Sequence, residues 1–143
     1  MTDFELGNFL PFRLVVLAGQ LSRDFSQHYA ERFGLSRQEW RVLAHLWRTG
    51  PASVGDIHRL VDLDKSRVSR AAASLEAAGH LRREEHPTDR RLVHLSVTES
   101  GHVMMMELSE LAKGYQHDLM ARLGPEADQF LKVVDRLWKT SDV

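Results

Sequence analysis

A chain of 143 residues, 43% hydrophobic and 27% charged, with 9 Gly, 4 Pro and a net charge of −1, has room for one hydrophobic core and lacks the basic total typical of nucleic-acid binders. Zero Cys excludes structural disulfides, a thiolate zinc site, an iron–sulfur cluster and a reversible thiol switch, so any sensing is expected to work by binding. The longest charge-free apolar run, Leu14 to Leu21, is too short for a bilayer, and the start has no basic region or cleavage pattern; the expectation is a cytoplasmic protein with no membrane partner.

Leu10, Leu14, Leu17, Ala18, Leu21, Phe25 and Tyr29 repeat with helical spacing, which predicts a first helix from about residue 9 to 33, with Pro11 tolerated in its first turn. Gly34 supplies a left-handed stop, and Ser36-Arg37-Gln38-Glu39 reads as a capping box for a second helix that buries Trp40, Leu43, Ala44 and Trp47. Gly50-Pro51 ends it. Ser53 then caps a short third helix containing Ile57 and Leu60, and Asp64 caps a fourth that runs to Gly79. Beyond Gly79 the period falls from 3.6 to 2: Val93, Leu95 and Val97 alternate with Leu92, His94 and Ser96, and Leu81 to Glu85 can pair with them across Pro87-Thr88-Asp89-Arg90 as a β-hairpin. Thr98 caps a long helix to about Leu123 with Met105, Leu108, Ala112, Tyr115 and Leu119 on one stripe. After Gly124-Pro125 a last helix carries Phe130, Val134, Leu137 and Trp138.

The first helix is apolar nearly all round at Leu14-Val15-Val16-Leu17-Ala18, so it is either sandwiched inside the monomer or buried by a second subunit. Since the terminal helices have no other layer to bury against, an α-helical homodimer interface is the favoured expectation. The expected architecture is mainly α (α+β), with residues 1–35 and 99–143 as a helical dimerisation region and 36–98 as the functional middle of one compact domain.

The charge is not evenly spread. Residues 1–64 carry seven bases against eight acids, residues 99–143 carry five against eight, and residues 65–91 carry seven against four, a local +3 masked by acidic flanks. The third helix, the connection Val61-Asp62-Leu63-Asp64 and the fourth helix have the dimensions of a helix-turn-helix. In the fourth, Val68, Ala71, Ala72, Leu75 and Ala78 form an inward stripe. That leaves Lys65, Ser66, Arg67, Ser69, Arg70 and Ala73 outward, with no acid before Glu76. Arg reads guanine bidentately, Ser reaches bases or phosphates and Ala permits close approach, so this face suits a DNA groove better than solvent. The hairpin tip, with Arg90 and Arg91, suits either a narrow minor groove or a solubilising turn in which Asp89 pairs with Arg91.

The run Asp64-Lys65-Ser66-Arg67-Val68-Ser69-Arg70 through Leu75-Glu76-Ala77-Ala78-Gly79, then Asp89-Arg90-Arg91 and Leu95-Ser96-Val97-Thr98-Glu99-Ser100-Gly101, resembles the winged helix-turn-helix of MarR-type transcriptional regulators, and the likeness extends over nearly the whole chain. Val97 stands where the family more often has Leu. The resemblance implies a winged helix-turn-helix with long N- and C-terminal dimerisation helices. It further implies a homodimer on a pseudo-palindromic double-stranded DNA operator, usually repressing, with the fourth helix in the major groove and the wing in the minor groove. Carried over by position, DNA contacts fall to Ser53, Lys65, Ser66, Arg67, Ser69, Arg70, Asp89, Arg90 and Arg91. Ser53 would offer a phosphate its helix N-terminus. Many relatives release DNA on binding a small aromatic acid or its coenzyme A thioester. The corresponding wall here is Leu10, Arg13 and Leu14 with Trp40, Arg41 and His45, where an Arg beside aromatic rings suits an aryl carboxylate. The other reading is that both Arg residues pair with acids and Trp40 is core.

No cofactor or metal is expected, since none of the eight His stands at i, i+4 to another. There is no Gly-rich phosphate loop, Gly-x-Ser-x-Gly elbow or Cys nucleophile, so a regulator is preferred to an enzyme. A winged-helix module for protein partners is the alternative, and it leaves the arginine face unexplained.

Overall fold

A computed structural model of the protein describes residues 3–85, 88 and 93–140. The chain divides into two units, Met1–Arg37 and Gln38–Val143.

In the first unit a short 3-10 turn at Leu6–Asn8 leads into α1 (Leu10–Ser26), entered through Pro11 and followed by α2 (Ala30–Phe33). The single long helix predicted for this stretch is therefore interrupted. The Ser26 hydroxyl donates to the Arg23 carbonyl, and the amides of Gln27, His28 and Tyr29 each reach back only three residues. That back-bonding tightens the last turn and ends the α-helical ladder. Phe25 and Tyr29 are buried, with their rings edge to face at 5.2 Å. Gly34 closes α2 at φ 67°, the left-handed stop its sequence position requires. Leu10, Phe12, Leu14, Val15, Val16 and Leu17 all remain exposed along α1, Val15 to 73%.

The second unit contains α3 (Arg37–Thr49) from its second residue onward, α4 (Val54–Val61), α5 (Lys65–Ala77), strands β1 (Leu81–Glu85) and β2 (Val93–Val97), then α6 (Glu99–Leu123) and α7 (Ala127–Thr140). Its core is Val42, Leu43 and Leu46 of α3, Ile57 of α4, Leu63, the α5 stripe Val68, Ala71, Ala72 and Leu75, Leu81, Leu95, and Met105 and Leu108 of α6. The inward face of α3 is thus turned from the one expected, since Trp40, Ala44 and Trp47 are only half-buried. The indole N–H of Trp47 donates to His102 Nδ1 at 2.9 Å, which keeps that ring at the edge of the core. Leu60 and Ala78 are also exposed, because each lies in the last turn of its helix or just past it, beyond the packed stripe.

The strands pair antiparallel in the register Leu81↔Val97, Arg83↔Leu95 and Glu85↔Val93. Ala52 adds a bridge on the other side of β2 through two bonds with Leu95, Ala52 N–H to the Leu95 carbonyl and the reverse. The hairpin base is tied to the helices by Thr98, whose hydroxyl donates to the Gly79 carbonyl at 2.6 Å and accepts from the Gly101 amide at 3.2 Å. Gly101 is buried there, and a Cβ on it would overlap the His80 carbonyl oxygen and approach Val97 Cγ1 at 2.8 Å. The Leu-x-Val-Thr-x-x-Gly run is therefore a packing junction. At α7 the apolar residues Phe130, Leu131, Val133, Val134, Leu137 and Trp138 stay exposed, Trp138 to 62%. No helix among the described residues is long and apolar enough to cross a membrane.

Candidate nucleic-acid interface

Helices α4 and α5 are separated by Asp62, Leu63 and Asp64, one residue fewer than the predicted connection, because α4 keeps Val61. Asp62 turns the chain in the left-handed region at φ 56°, which a short polar Asp tolerates, while Leu63 is buried beneath the turn. Asp64 then caps α5, accepting from the Arg67 amide at 2.8 Å. This fixes where the first turn of α5 begins and which residues leave its outer face.

Lys65, Ser66, Arg67, Ser69 and Arg70 are all exposed on the first two turns, opposite the buried Val68, Ala71 and Ala72. The Arg67 side chain rests 3.5 Å from the Asp64 carboxylate, whereas Lys65 and Arg70 have no ion-pair partner among the described residues. An exposed pair of that length is worth about 0.2–1 kcal/mol, so Arg67 exchanges it readily for a stronger anion. The structure thus gathers five of the predicted DNA residues on one helix face. Asp89, Arg90 and Arg91 lie outside the described residues.

Ser53 sits at the N-cap of α4 in a complete capping box. Its hydroxyl donates to Asp56 Oδ2 at 2.9 Å and accepts from the Asp56 amide at 3.1 Å. Those Ser53 bonds, side chain first and backbone second, hold the Asp56 carboxyl below the usual carboxylate range, with Arg59 adding to the effect. A carboxylate therefore already occupies this helix N-terminus, and a DNA phosphate at Ser53 would have to displace it.

The six residues expected to bind an effector divide between the units. Leu10, Arg13 and Leu14 lie on exposed turns of α1, and Trp40, Arg41 and His45 are half-buried on α3. Neither Arg13 nor Arg41 has an ion-pair partner among the described residues; Arg41 donates at 3.4 Å to the Val61 carbonyl at the end of α4. That contact was not visible in the pattern of residue types, since its acceptor is a backbone atom. Two ties to α5 depend instead on side chains of separate elements meeting in the fold. Ser74 donates to Glu39 Oε2 at 3.0 Å, and Arg83 of β1 donates to Glu76 Oε2 at 3.2 Å, across 35 and 7 residues of sequence respectively.

A model of the MarR family matches residues 33–92, the span from the end of α2 to the start of β2. Among curated proteins, the transcriptional activatory protein BadR of Rhodopseudomonas palustris is 27% identical over 147 residues, covering 96% of this chain and 83% of BadR. Two solved structures share the fold over 99% of this chain and the whole of theirs. One, described as the mechanism for regulation of DNA binding of Bordetella bronchiseptica BpsR by 6-hydroxynicotinic acid, has a TM-score of 0.82 at 20% identity. The other, NadR in complex with 4-hydroxyphenylacetate, has a TM-score of 0.79 at 21% identity.

Proposed function

We propose that this chain, which is a MarR-type winged helix-turn-helix transcriptional regulator and not an enzyme, works as a homodimer that places α5 of each subunit in the major groove of a pseudo-palindromic operator. The observation that carries the proposal is the outer face of α5, where Lys65, Ser66, Arg67, Ser69 and Arg70 stand exposed with no acid before Glu76. Arg70, without an ion-pair partner among the described residues, is the leading candidate for base readout, and Ser66 and Ser69 for base or phosphate contacts. Asp89, Arg90 and Arg91 complete the reading as the wing that enters the minor groove. Ser53 is left out of the contact set because its hydroxyl is engaged by Asp56. The regions 1–35 and 99–143 supply the subunit contacts and 36–98 the DNA contacts.

The test is fluorescence anisotropy with the duplex upstream of the protein's own gene. A saturable, salt-sensitive complex that outcompetes random duplex is expected, and equal affinity for both duplexes overturns the proposal. Truncating Arg70 to Ala costs about 1–3 kcal/mol of specific binding if it reads a base.

The proposed effector is a small aromatic carboxylate or its coenzyme A thioester; the residues proposed to bind it are Leu10, Arg13 and Leu14 of α1 and Trp40, Arg41 and His45 of α3, an arginine for the carboxylate and Trp40 for the ring. Two observations support it: neither arginine has an ion-pair partner among the described residues, and BpsR and NadR are described with small aromatic acids. A thermal-shift panel of aromatic acids and acyl-CoA esters tests it, since a ligand at about 100 times its Kd adds about 2.7 kcal/mol. No shift and no DNA release across the panel rejects the effector. Repression is the proposed outcome of operator binding; the name of BadR favours activation as the second reading. In vitro transcription from the bound promoter, with and without the protein, decides between them.

A further inference from the structure

We propose that Arg83 of β1 is a further contact to the DNA backbone, oriented for that role by Glu76 of α5; the inference rests on α5 entering the major groove with the wing in the adjacent minor groove. Glu76 lies seven residues after Ser69 and three after Ala73, so it continues the outer stripe of α5 and is the first carboxylate on that face. A bare carboxylate there would repel phosphates and would also oppose the helix dipole, whose negative end lies in this last turn. The structure answers both problems with one residue. Arg83 Nε donates to Glu76 Oε2 at 3.2 Å, and the two side chains are 44% and 42% exposed.

The geometry of that bond matters more than its strength. A guanidinium has five donors, and the carboxylate takes only Nε–H. The Nη1 and Nη2 donors have no hydrogen-bond partner among the described residues. Among the described residues the guanidinium is thus held at Nε, with Nη1 and Nη2 unengaged. Its location decides what it can meet: β1 carries it on the wing side and Glu76 on the helix side, so it spans the gap between the two elements. On duplex DNA, a helix in one groove and a hairpin in the next are separated by a sugar–phosphate strand, so a cation bridging them faces phosphate oxygens. Arg82, the next residue, spends Nε on Glu84 of its own strand at 2.7 Å and lies on the opposite face of the pleat.

Anisotropy titrations against the upstream duplex over a range of salt test the assignment in wild type, Arg70→Ala, Arg83→Ala, Arg83→Lys and Glu76→Ala, each first checked for native circular dichroism. Arg83→Ala is expected to weaken binding about tenfold, as loss of a charge-assisted bond does, and to lower the log–log salt slope by about one. Arg83→Lys keeps the slope because the charge remains. Glu76→Ala is expected to reduce affinity although it removes a negative charge, which only a positioning role explains; a gain in affinity overturns that role. If Arg83→Ala leaves slope and affinity unchanged while Arg70→Ala weakens binding, the Arg83 contact is wrong. If both leave binding unchanged, the placement of α5 on DNA fails, and the inference with it.

Discussion

Ser53, Asp56 and Gly101 act through the backbone, and each makes a prediction that needs no DNA. The Ser53 cap satisfies an amide of the first turn of α4, so Ser53→Ala is expected to cost about 0.5–2 kcal/mol in urea denaturation at neutral pH. Asp56 contributes with a definite pH sense. Its carboxyl is held below the usual range in the folded state, chiefly by the Ser53 hydroxyl, so the unfolded chain takes up its proton first. The stabilisation is therefore fully present above the ordinary carboxylate pKa and disappears as pH falls through the lower folded value. The stability gap between wild type and Asp56→Ala should be widest near pH 7 and close at acid pH; a gap that widens on acidification contradicts the assignment. At Gly101 the constraint is space. A methyl group there meets the His80 carbonyl and Val97, and since a carbonyl in a hydrogen-bonded turn cannot move aside, Gly101→Ala should cost about 1–3 kcal/mol, read as a lowered Tm.

The elements separate packing from recognition along α5. Leu75 is fully buried, so Leu75→Ala should cost about 2–5 kcal/mol of stability. Ser69 is exposed six residues earlier, and Ser69→Ala is expected to leave stability within about 0.5 kcal/mol of wild type while weakening operator binding. A Tm loss as large as that of Leu75→Ala would mean the α5 faces are assigned the wrong way round. These faces were legible in the sequence because Val68, Ala71, Ala72 and Leu75 differ sharply in chemistry from the Ser and Arg between them. So were the caps at Ser53, Asp64 and Thr98, which depend on one side chain and the next turn. The inward face of α3 was not legible: Trp40, Leu43, Ala44 and Trp47 and the actual Val42, Leu43 and Leu46 are equally good apolar stripes, and a contact with His102, 55 residues away, orients Trp47. The break after Ser26 escaped notice because the hydroxyl that helps to cause it is an ordinary residue in an apolar rhythm. Of the candidate site, the α5 face could be read in advance, whereas the Glu76–Arg83 and Arg41–Val61 contacts depend on how separate elements are packed.

For the whole molecule, the exposed apolar residues of α1 and α7 bear on the proposed homodimer. Each helix leaves a run of large hydrophobic side chains uncovered in the single chain, far more than scattered surface residues explain. In a homodimer they are covered, and Val15→Asp in α1 should shift the protein from dimer to monomer by light scattering and weaken operator binding by removing the second half-site contact. A Val15→Asp protein that remains a dimer with native affinity removes α1 from the interface.

The Thr98 junction joins the end of α5, the base of the hairpin and the start of α6 through hydrogen bonds to Gly79 and Gly101. Mechanically it is a fulcrum. The five residues of β1 beyond it form a lever of about 17 Å at about 3.3 Å per residue. A tilt of about 10° at the junction would sweep the far end of that strand through about 3 Å, roughly one residue's rise along a strand. Any change in the angle at which α6 leaves Thr98 would therefore be carried, with that leverage, to the far end of β1.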